Sequence, residues 1–67
     1  MIIVKRNKVT FDCEYYADSA NLSDIMDKER PKFSAFQENA TVFDLKSIFG
    51  MCNFLKQNDS KNDYFVY

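Results

Sequence analysis

The stretch Ala40-Thr-Val-Phe-Asp-Leu-Lys-Ser-Ile-Phe-Gly-Met-Cys-Asn-Phe-Leu-Lys56 contains two patterns that meet near a single serine. Residues 41–45 are rich in β-branched and aromatic side chains, which is typical of a strand. From Ser47 onward, apolar residues recur at helical spacing, namely Ile48, Met51, Cys52 and Leu55. We therefore expect a strand followed by a helix of about two turns, which begins near Ser47 and ends at Asn58 in the left-handed conformation.

Outside this stretch, the N-terminal third of the chain predicts two strands and a helix. Residues 9–16 alternate apolar with polar side chains, which indicates a strand with one buried face. Residues 2–5 are extended in character, so segment 1–8 is expected to add an N-terminal strand. Helical spacing predicts a helix over residues 22–29 that ends before Pro31. The apolar and acidic positions that mark it are Leu22, Ile25, Met26 and Glu29.

The remaining segments predict strands. Residues 33–38 are expected to form a hairpin with residues 41–45, and residues 64–67 are expected to form the last strand. The resulting order is strand, helix, strand, strand, helix, strand. This βαββαβ plan is an α+β fold, in which a small antiparallel sheet of about four strands carries two helices on one face. With 67 residues, the chain is expected to form a single domain, with residues 9–67 as its core.

Composition argues against several classes of function. A net charge of −1 does not provide the basic field that general nucleic-acid binding requires, so we expect no direct nucleic-acid contact. No apolar run approaches the roughly 20 residues that span a bilayer, so we expect no membrane association. Cys13 and Cys52 are isolated from each other and from histidine, which indicates reduced thiols, no metal site and a cytoplasmic protein. No motif implies a cofactor.

No arrangement of residues indicates an enzyme. Asp24 and Asp27 share a predicted helix face, but surface carboxylates of this kind are more often solvated than catalytic. Neither cysteine has a histidine partner, because the chain contains no histidine. We therefore expect a non-catalytic protein.

The segment Leu45-Lys-Ser-Ile-Phe-Gly-Met51 resembles the Leu-Lys-Ser-Ile-Met-Gly-Val segment of HPr, the phosphocarrier family of the bacterial sugar phosphotransferase system. Upstream, Tyr16-Ala-Asp-Ser19 is similar to the end of that family's first strand, and Lys32-Phe33 to the end of its first helix. The resemblance implies an HPr-like fold over residues 9–67. It also implies a regulatory, protein-binding role for the second helix.

The chain also departs from the HPr pattern. The position that matches the phosphorylated histidine of the family is occupied by Leu22, and the following arginine position by Asp24. Without an imidazole there is no acceptor for the phosphoryl group, so the resemblance is to a degenerate member. The family's third helix is not matched, which leaves part of the sheet uncovered and predicts homodimerisation, with strand exchange through the N-terminal segment as one route.

The resemblance implies a partner-binding site at the start of the second helix. Its apolar patch is expected to consist of Ile48, Phe49 and Cys52, with Lys46 and Ser47 at the polar edge. In Gram-positive members the matching serine is phosphorylated, and a helix N-terminus suits a phosphate. The alternative is that Ser47 is simply the N-cap of the helix. Gly50 is unfavourable within a helix, and the close approach of a neighbouring chain or a partner would explain it.

A second hypothesis belongs to a different class. Small chains rich in Asn, Lys, Asp and Phe are common among phage and mobile-element inhibitors, including anti-CRISPR proteins. Such a protein would use an acidic face to block a nucleic-acid-binding protein of the host. The residues of that face would be Asp12, Glu14, Asp18, Asp24 and Asp27.

Overall fold

The computed structural model describes residues 1–27 and 30–67, and within them the chain forms an α+β domain. A four-stranded antiparallel sheet and two helices are present, which confirms the expected fold class. The elements in chain order are β1 (Ile3–Asn7), β2 (Cys13–Tyr16), α1 (Leu22–Ile25), β3 (Phe33–Ser34), α2 (Leu45–Gln57) and β4 (Asn62–Val66). A single 3-10 turn at Gln37–Asn39 lies between β3 and α2.

The N-terminal strand is central in the sheet. The strand order is β3-β2-β1-β4, and every neighbouring pair is antiparallel. On β1, Val4 lies opposite Tyr15 of β2 on one side and Phe65 of β4 on the other. Segment 1–8 therefore supplies a strand, as expected, but this strand pairs with both β2 and β4. Exchange of β1 between two copies would break both of its ladders.

The expected hairpin between residues 33–38 and 41–45 is not formed. β3 has only two residues and pairs with β2, where Tyr16 lies opposite Phe33. After the 3-10 turn, the backbone N–H of Thr41 donates to the carbonyl of Tyr16, and that of Phe43 donates to the carbonyl of Met1. Residues 40–44 are thus tied to the sheet by isolated hydrogen bonds instead of a ladder, including a second one at 3.2 Å in which the Met1 amine donates to the carbonyl of Phe43. The order of elements is ββαβαβ instead of βαββαβ.

Residues 8–12 form the loop of the β1–β2 hairpin, although the period of two predicted a strand from residue 9. The side-chain Oδ1 of Asn7 accepts hydrogen bonds from the N–H groups of Val9 (2.8 Å) and Thr10 (3.0 Å). These bonds close a turn of the kind that Asn favours. Val9 and Phe11 are therefore exposed, at 84% and 64%, and the expected buried face was wrong. Tyr16, at a position of the opposite phase, is fully buried.

Phe11 has φ of 63°, a left-handed conformation that is unfavourable for a bulky side chain and favourable for glycine. We expect Phe11→Gly to be more stable than Phe11→Ala by about 1 kcal/mol, because alanine keeps the strain of a Cβ while both changes remove the ring. Both variants lose the contact between the ring and the Arg6 guanidinium, 5.7 Å from the ring centroid. Urea unfolding followed by circular dichroism measures the difference, and equal stability of the two variants would contradict the strain.

The hydrophobic core lies on one face of the sheet, and both helices contribute to it. Ile3, Tyr16 and Tyr64 are buried side chains of the sheet on this face, since the register places neighbours of the same phase together. The complete cluster is Ile3, Tyr16, Ile25, Phe43, Ile48, Met51, Cys52, Leu55 and Tyr64. Aromatic contacts join the cluster to β3, with the Tyr16 and Phe33 rings edge to face at 5.7 Å. These contacts confirm the two-layer arrangement.

The first helix is shorter than expected within the part of the chain that the structure describes. α1 begins after Asn21, whose Oδ1 accepts from the N–H of Ser23 at 3.1 Å, and its buried residue is Ile25. Met26 was expected on the apolar face but is 62% exposed. The expected position of Glu29 lies outside the described residues.

Candidate functional site

The second helix begins two residues earlier than Ser47, and its N-cap is Asp44. The Asp44 carboxylate accepts the backbone N–H of Ser47 at 2.9 Å and its hydroxyl at 2.7 Å. The expectation that Ser47 is the cap was therefore wrong, because the carboxylate three residues earlier already satisfies the free amide. These hydrogen bonds from Ser47 lower the pKa of Asp44. At the other end, Asn58 is the C-cap with φ of −99°, so it is not left-handed as expected.

Phe43 and Ile48 hold the start of α2 on the core. They flank the cap at the positions of a hydrophobic staple, one before the N-cap and the other at the fourth helical residue. Both are buried, Phe43 at 4% exposure and Ile48 at 0%, and both belong to the core cluster. The capped first turn is thus packed against the domain.

The Asp44 cap changes the expected effect of a phosphate on Ser47. Its hydroxyl is exposed and donates a hydrogen bond to a carboxylate. A phosphate on Ser47 would replace this donor with acceptor oxygens beside the negative charge of Asp44. Phosphorylation of Ser47 stays a prediction, and where it occurs we expect it to open the cap of α2.

Two residues of the expected apolar patch are inside the protein. Ile48 and Cys52 were expected near the outer side of the helix, but they are 0% and 3% exposed. They lie on the same side as Met51 and Leu55, because positions 48, 51, 52 and 55 form one stripe of a helix with 3.6 residues per turn. Burial raises the pKa of the Cys52 thiol. Neither side chain is available to a partner in this conformation.

A different apolar surface is exposed at the start of α2, and we call it the α2 ridge. It consists of Val42, Leu45 and Phe49, which are 74%, 65% and 53% exposed. Leu45 and Phe49 are four residues apart and are neighbours on the helix surface. Of the three, only Phe49 was predicted. The signal that identifies Leu45 was present in the sequence, since it lies at i−4 from Phe49.

The polar surroundings of the α2 ridge carry both signs of charge, because the exposed Asp44 cap lies between Val42 and Leu45. Lys46 and Lys56 are exposed side chains of α2, and residues 45–57 contain no Asp or Glu. Lys46 thus occupies the exposed polar position that was expected of it. Gly50 is also exposed, and a Cβ built on it has no neighbour within 4 Å. No other part of the described chain approaches Gly50, so packing within the domain does not explain this glycine.

The five carboxylates of the alternative hypothesis have different environments. Glu14 on β2 pairs with Lys5 at 3.2 Å, Asp18 accepts the backbone N–H groups of Ser19 and Lys32, and Asp24 accepts the hydroxyl of Ser19 at 2.7 Å. Asp12 and Asp27 are exposed, on the hairpin loop and after α1 respectively. Three of the five thus form local contacts. The acidic face stays a prediction.

Asp18 and Asp24 both lie close to the hydroxyl of Tyr16. The pKa of Tyr16 is raised, first by burial and then by these two carboxylates. The Tyr16 hydroxyl is directed at the backbone, since it donates to the carbonyl of Ser19 at 2.7 Å. Its role in the structure is to tie the end of β2 to the loop before α1.

The described residues do not group as a metal site. Within residues 1–27 and 30–67, no three side chains of His, Cys, Asp or Glu come together in a way that would hold an ion. In the same ranges, no helix has both the length and the apolar character needed to cross a membrane.

Comparison with known proteins identifies no relative. No family model, no curated protein and no solved structure matches the chain. The likeness of residues 45–51 to HPr therefore stays a prediction from the sequence.

Proposed function

We propose that this protein is a non-catalytic, regulatory protein-binding module that docks a partner through the α2 ridge. The observation that supports the proposal is the exposure of three large apolar side chains, each more than half accessible, at one end of a packed helix. Exposed apolar patches on small soluble domains commonly mark interaction sites. The resemblance of residues 45–51 to the docking helix of HPr also supports α2 as the helix that contacts the partner. In the corrected site, Val42 and Leu45 replace Ile48 and Cys52.

The charges on α2 indicate the chemistry of the partner. Lys46 and Lys56 are exposed along α2, which contains no carboxylate of its own, and the Asp44 carboxylate lies at its N-terminal end. The surface that complements it is an apolar groove with acidic residues at its rim. A second copy of this chain fits less well, because two antiparallel α2 helices that meet at Leu45 and Phe49 would bring the Lys46 side chains of both copies near each other. Homodimerisation stays a separate prediction, which sedimentation of the purified protein measures.

The test compares two exposed phenylalanines. Phe49→Asp places a charge in the α2 ridge, whereas Phe36→Asp makes the same change at a residue that is 62% exposed in the loop after β3. We expect Phe49→Asp to weaken binding of the captured and purified partner about tenfold or more, because central aromatic contacts dominate interface energies. Phe36→Asp should leave the affinity unchanged. Circular dichroism confirms that both variants are folded.

A charge variant distinguishes the two hypotheses of function. Lys46→Glu is expected to weaken binding and to reverse its dependence on salt, since the partner groove has an acidic rim. Under the inhibitor hypothesis, Asp12→Lys and Asp27→Lys would abolish binding, and Phe49→Asp would not. That pattern would contradict docking through the α2 ridge.

A further inference from the structure

A cleft of about 600 Å³ opens beside the core, at a distance along α2 from the ridge. It lies where the C-terminal part of α2, the loop before β4 and the two-residue β3 meet. Its lining includes three aromatic and three cationic side chains, namely Phe33, Phe54, Tyr64, Lys5, Arg30 and Lys61. Its size is within the range of sites that hold small molecules.

Lys5 is the most constrained cation of the cleft. Its side chain is only 19% exposed, and its Nζ lies 4.0 Å from the centroid of the Phe33 ring. Glu14 contacts the same Nζ at 3.2 Å. The ammonium group is thus held at the border between the aromatic wall and the solvent, where a ligand anion would share it with Glu14.

Two further cations are available to a ligand. Arg30 and Lys61 are both exposed, and no ion pair among the described residues involves either of them. The whole chain has a net charge of −1, so the excess of positive charge is local to the cleft.

Asp59 is the carboxylate in the described lining, and its oxygens accept hydrogen bonds from other groups of the protein. Its Oδ2 accepts the Tyr64 hydroxyl at 2.6 Å and the Asn62 amide at 2.7 Å, and its Oδ1 accepts the N–H of Lys61 at 2.9 Å. Burial alone would raise the pKa of Asp59, but these hydrogen bonds outweigh it and the pKa is lowered. The carboxylate organises the loop before β4, and the Lys61 side chain remains for a ligand.

We propose that this cleft binds a small organic anion with a flat apolar part, such as an aromatic carboxylate or sulfonate. The flat part packs against the side chains of Phe33 and Phe54, which line the cleft, and the anionic group lies between Lys5 and Lys61. Charge-assisted hydrogen bonds to an ammonium group are strong when the surroundings are partly desolvated, as they are at Lys5. The site shares no residue with the α2 ridge, so a test of this proposal is independent of the proposed docking function.

The test uses 8-anilinonaphthalene-1-sulfonate as the probe, because it combines an aromatic body with a fixed negative charge. Saturable binding to the folded protein is expected, and Lys61→Gln should weaken it about fivefold, since one charge-assisted contact is lost. Lys8→Gln is the matched control, at an exposed lysine of the β1–β2 loop that does not line the cleft, and should have no effect. Because Lys61 is an exposed loop residue, its variant is expected to fold normally, which circular dichroism checks.

A neutral analogue and a map of the contact complete the experiment. N-phenyl-1-naphthylamine has the same aromatic body without the sulfonate and should bind more weakly than the probe. Amide chemical shifts in the presence of the sulfonate should change at Phe54, Lys61 and Asn62. Equal affinity for the neutral compound, an unaffected Lys61→Gln, or shifts centred on Phe49 or Phe11 would each overturn the proposal.

Discussion

Ile48→Ala is expected to remove most of the stability of the protein at ambient temperature, whereas Phe49→Ala, the next residue, should leave the stability nearly unchanged. Ile48 is fully buried, at 0% exposure, between the cap of α2 and the sheet. Truncation of a buried isoleucine costs about 2–4 kcal/mol, from lost burial and from the cavity that remains. A domain of this size has a total stability of roughly 3–5 kcal/mol, so the loss removes most of it.

Urea unfolding followed by circular dichroism measures this pair of variants. Ile48→Val provides an intermediate step, with an expected cost of about 1 kcal/mol. Phe49→Ala should change the free energy of unfolding by less than about 0.5 kcal/mol, because its side chain is more than half exposed. If the two alanine variants are equally stable, α2 is rotated from the orientation described here. The expected patch of Ile48, Phe49 and Cys52 would then be restored.

Alkaline unfolding is the second large effect, and it arises from two buried tyrosines. Burial is the main cause of the strongly raised pKa of both Tyr16 and Tyr64. For Tyr64 the hydrogen bond to Asp59 and the negative charge of that residue add to the effect, and for Tyr16 the carboxylates of Asp18 and Asp24 do so. Both side chains are therefore protonated in the folded protein well above the ordinary pKa of tyrosine, about 10.

The sign of the effect follows from the direction of these shifts. A group whose pKa is higher in the folded state stabilises the fold fully below its unfolded pKa, and this contribution is lost as the pH rises toward the folded pKa. Stability should thus be constant through neutral pH with respect to these groups and should fall above about pH 10. Because the two tyrosines contribute together, we expect unfolding to become complete about two pH units above that point.

Tyr64→Phe separates the contribution of one tyrosine. At neutral pH the variant loses the 2.6 Å hydrogen bond to Asp59 and should be less stable by about 1–2 kcal/mol. Above pH 10 it should lose stability less steeply than the wild type, because one titrating group has been removed. Tyr67→Phe, at a tyrosine that is 70% exposed, is the control and should keep the wild-type slope. An unchanged slope in Tyr64→Phe would show that Tyr64 does not contribute.

Much of the fold could be predicted from local patterns. The period of 3.6 residues correctly identified α2 and its buried residues Met51 and Leu55. The strands at both ends of the chain and the α+β class were also apparent. The Asp44 cap is a local signal as well, because a carboxylate that precedes a helical pattern is a preferred N-cap. The helical spacing of apolar residues begins next to Ser47, which favoured Ser47 as the cap instead.

The candidate site could not be predicted to the same degree. Apolar residues surround more of α2 than one stripe requires, so periodicity alone did not decide whether Ile48 and Cys52 or Phe49 faced outward. Packing decided it, because Phe43 and Ile48 close over the core together. The cleft was not predictable either, since Lys5, Phe33 and Lys61 are distant in sequence and are brought together by the sheet and the loop before β4.

Local patterns in the sequence were enough to predict two helices, the apolar positions of α2 and a small α+β domain without histidine chemistry, although α1 is shorter and α2 begins earlier than those patterns indicated. The tertiary structure decided the central place of β1, the burial of Tyr16 in place of Val9 and Phe11, and the face of α2 that remains exposed. The physical reason is the distance along the chain between the residues that interact. Helical period and turn chemistry depend on neighbours within a few residues, whereas strand pairing and the rotation of a helix about its axis depend on contacts between distant segments.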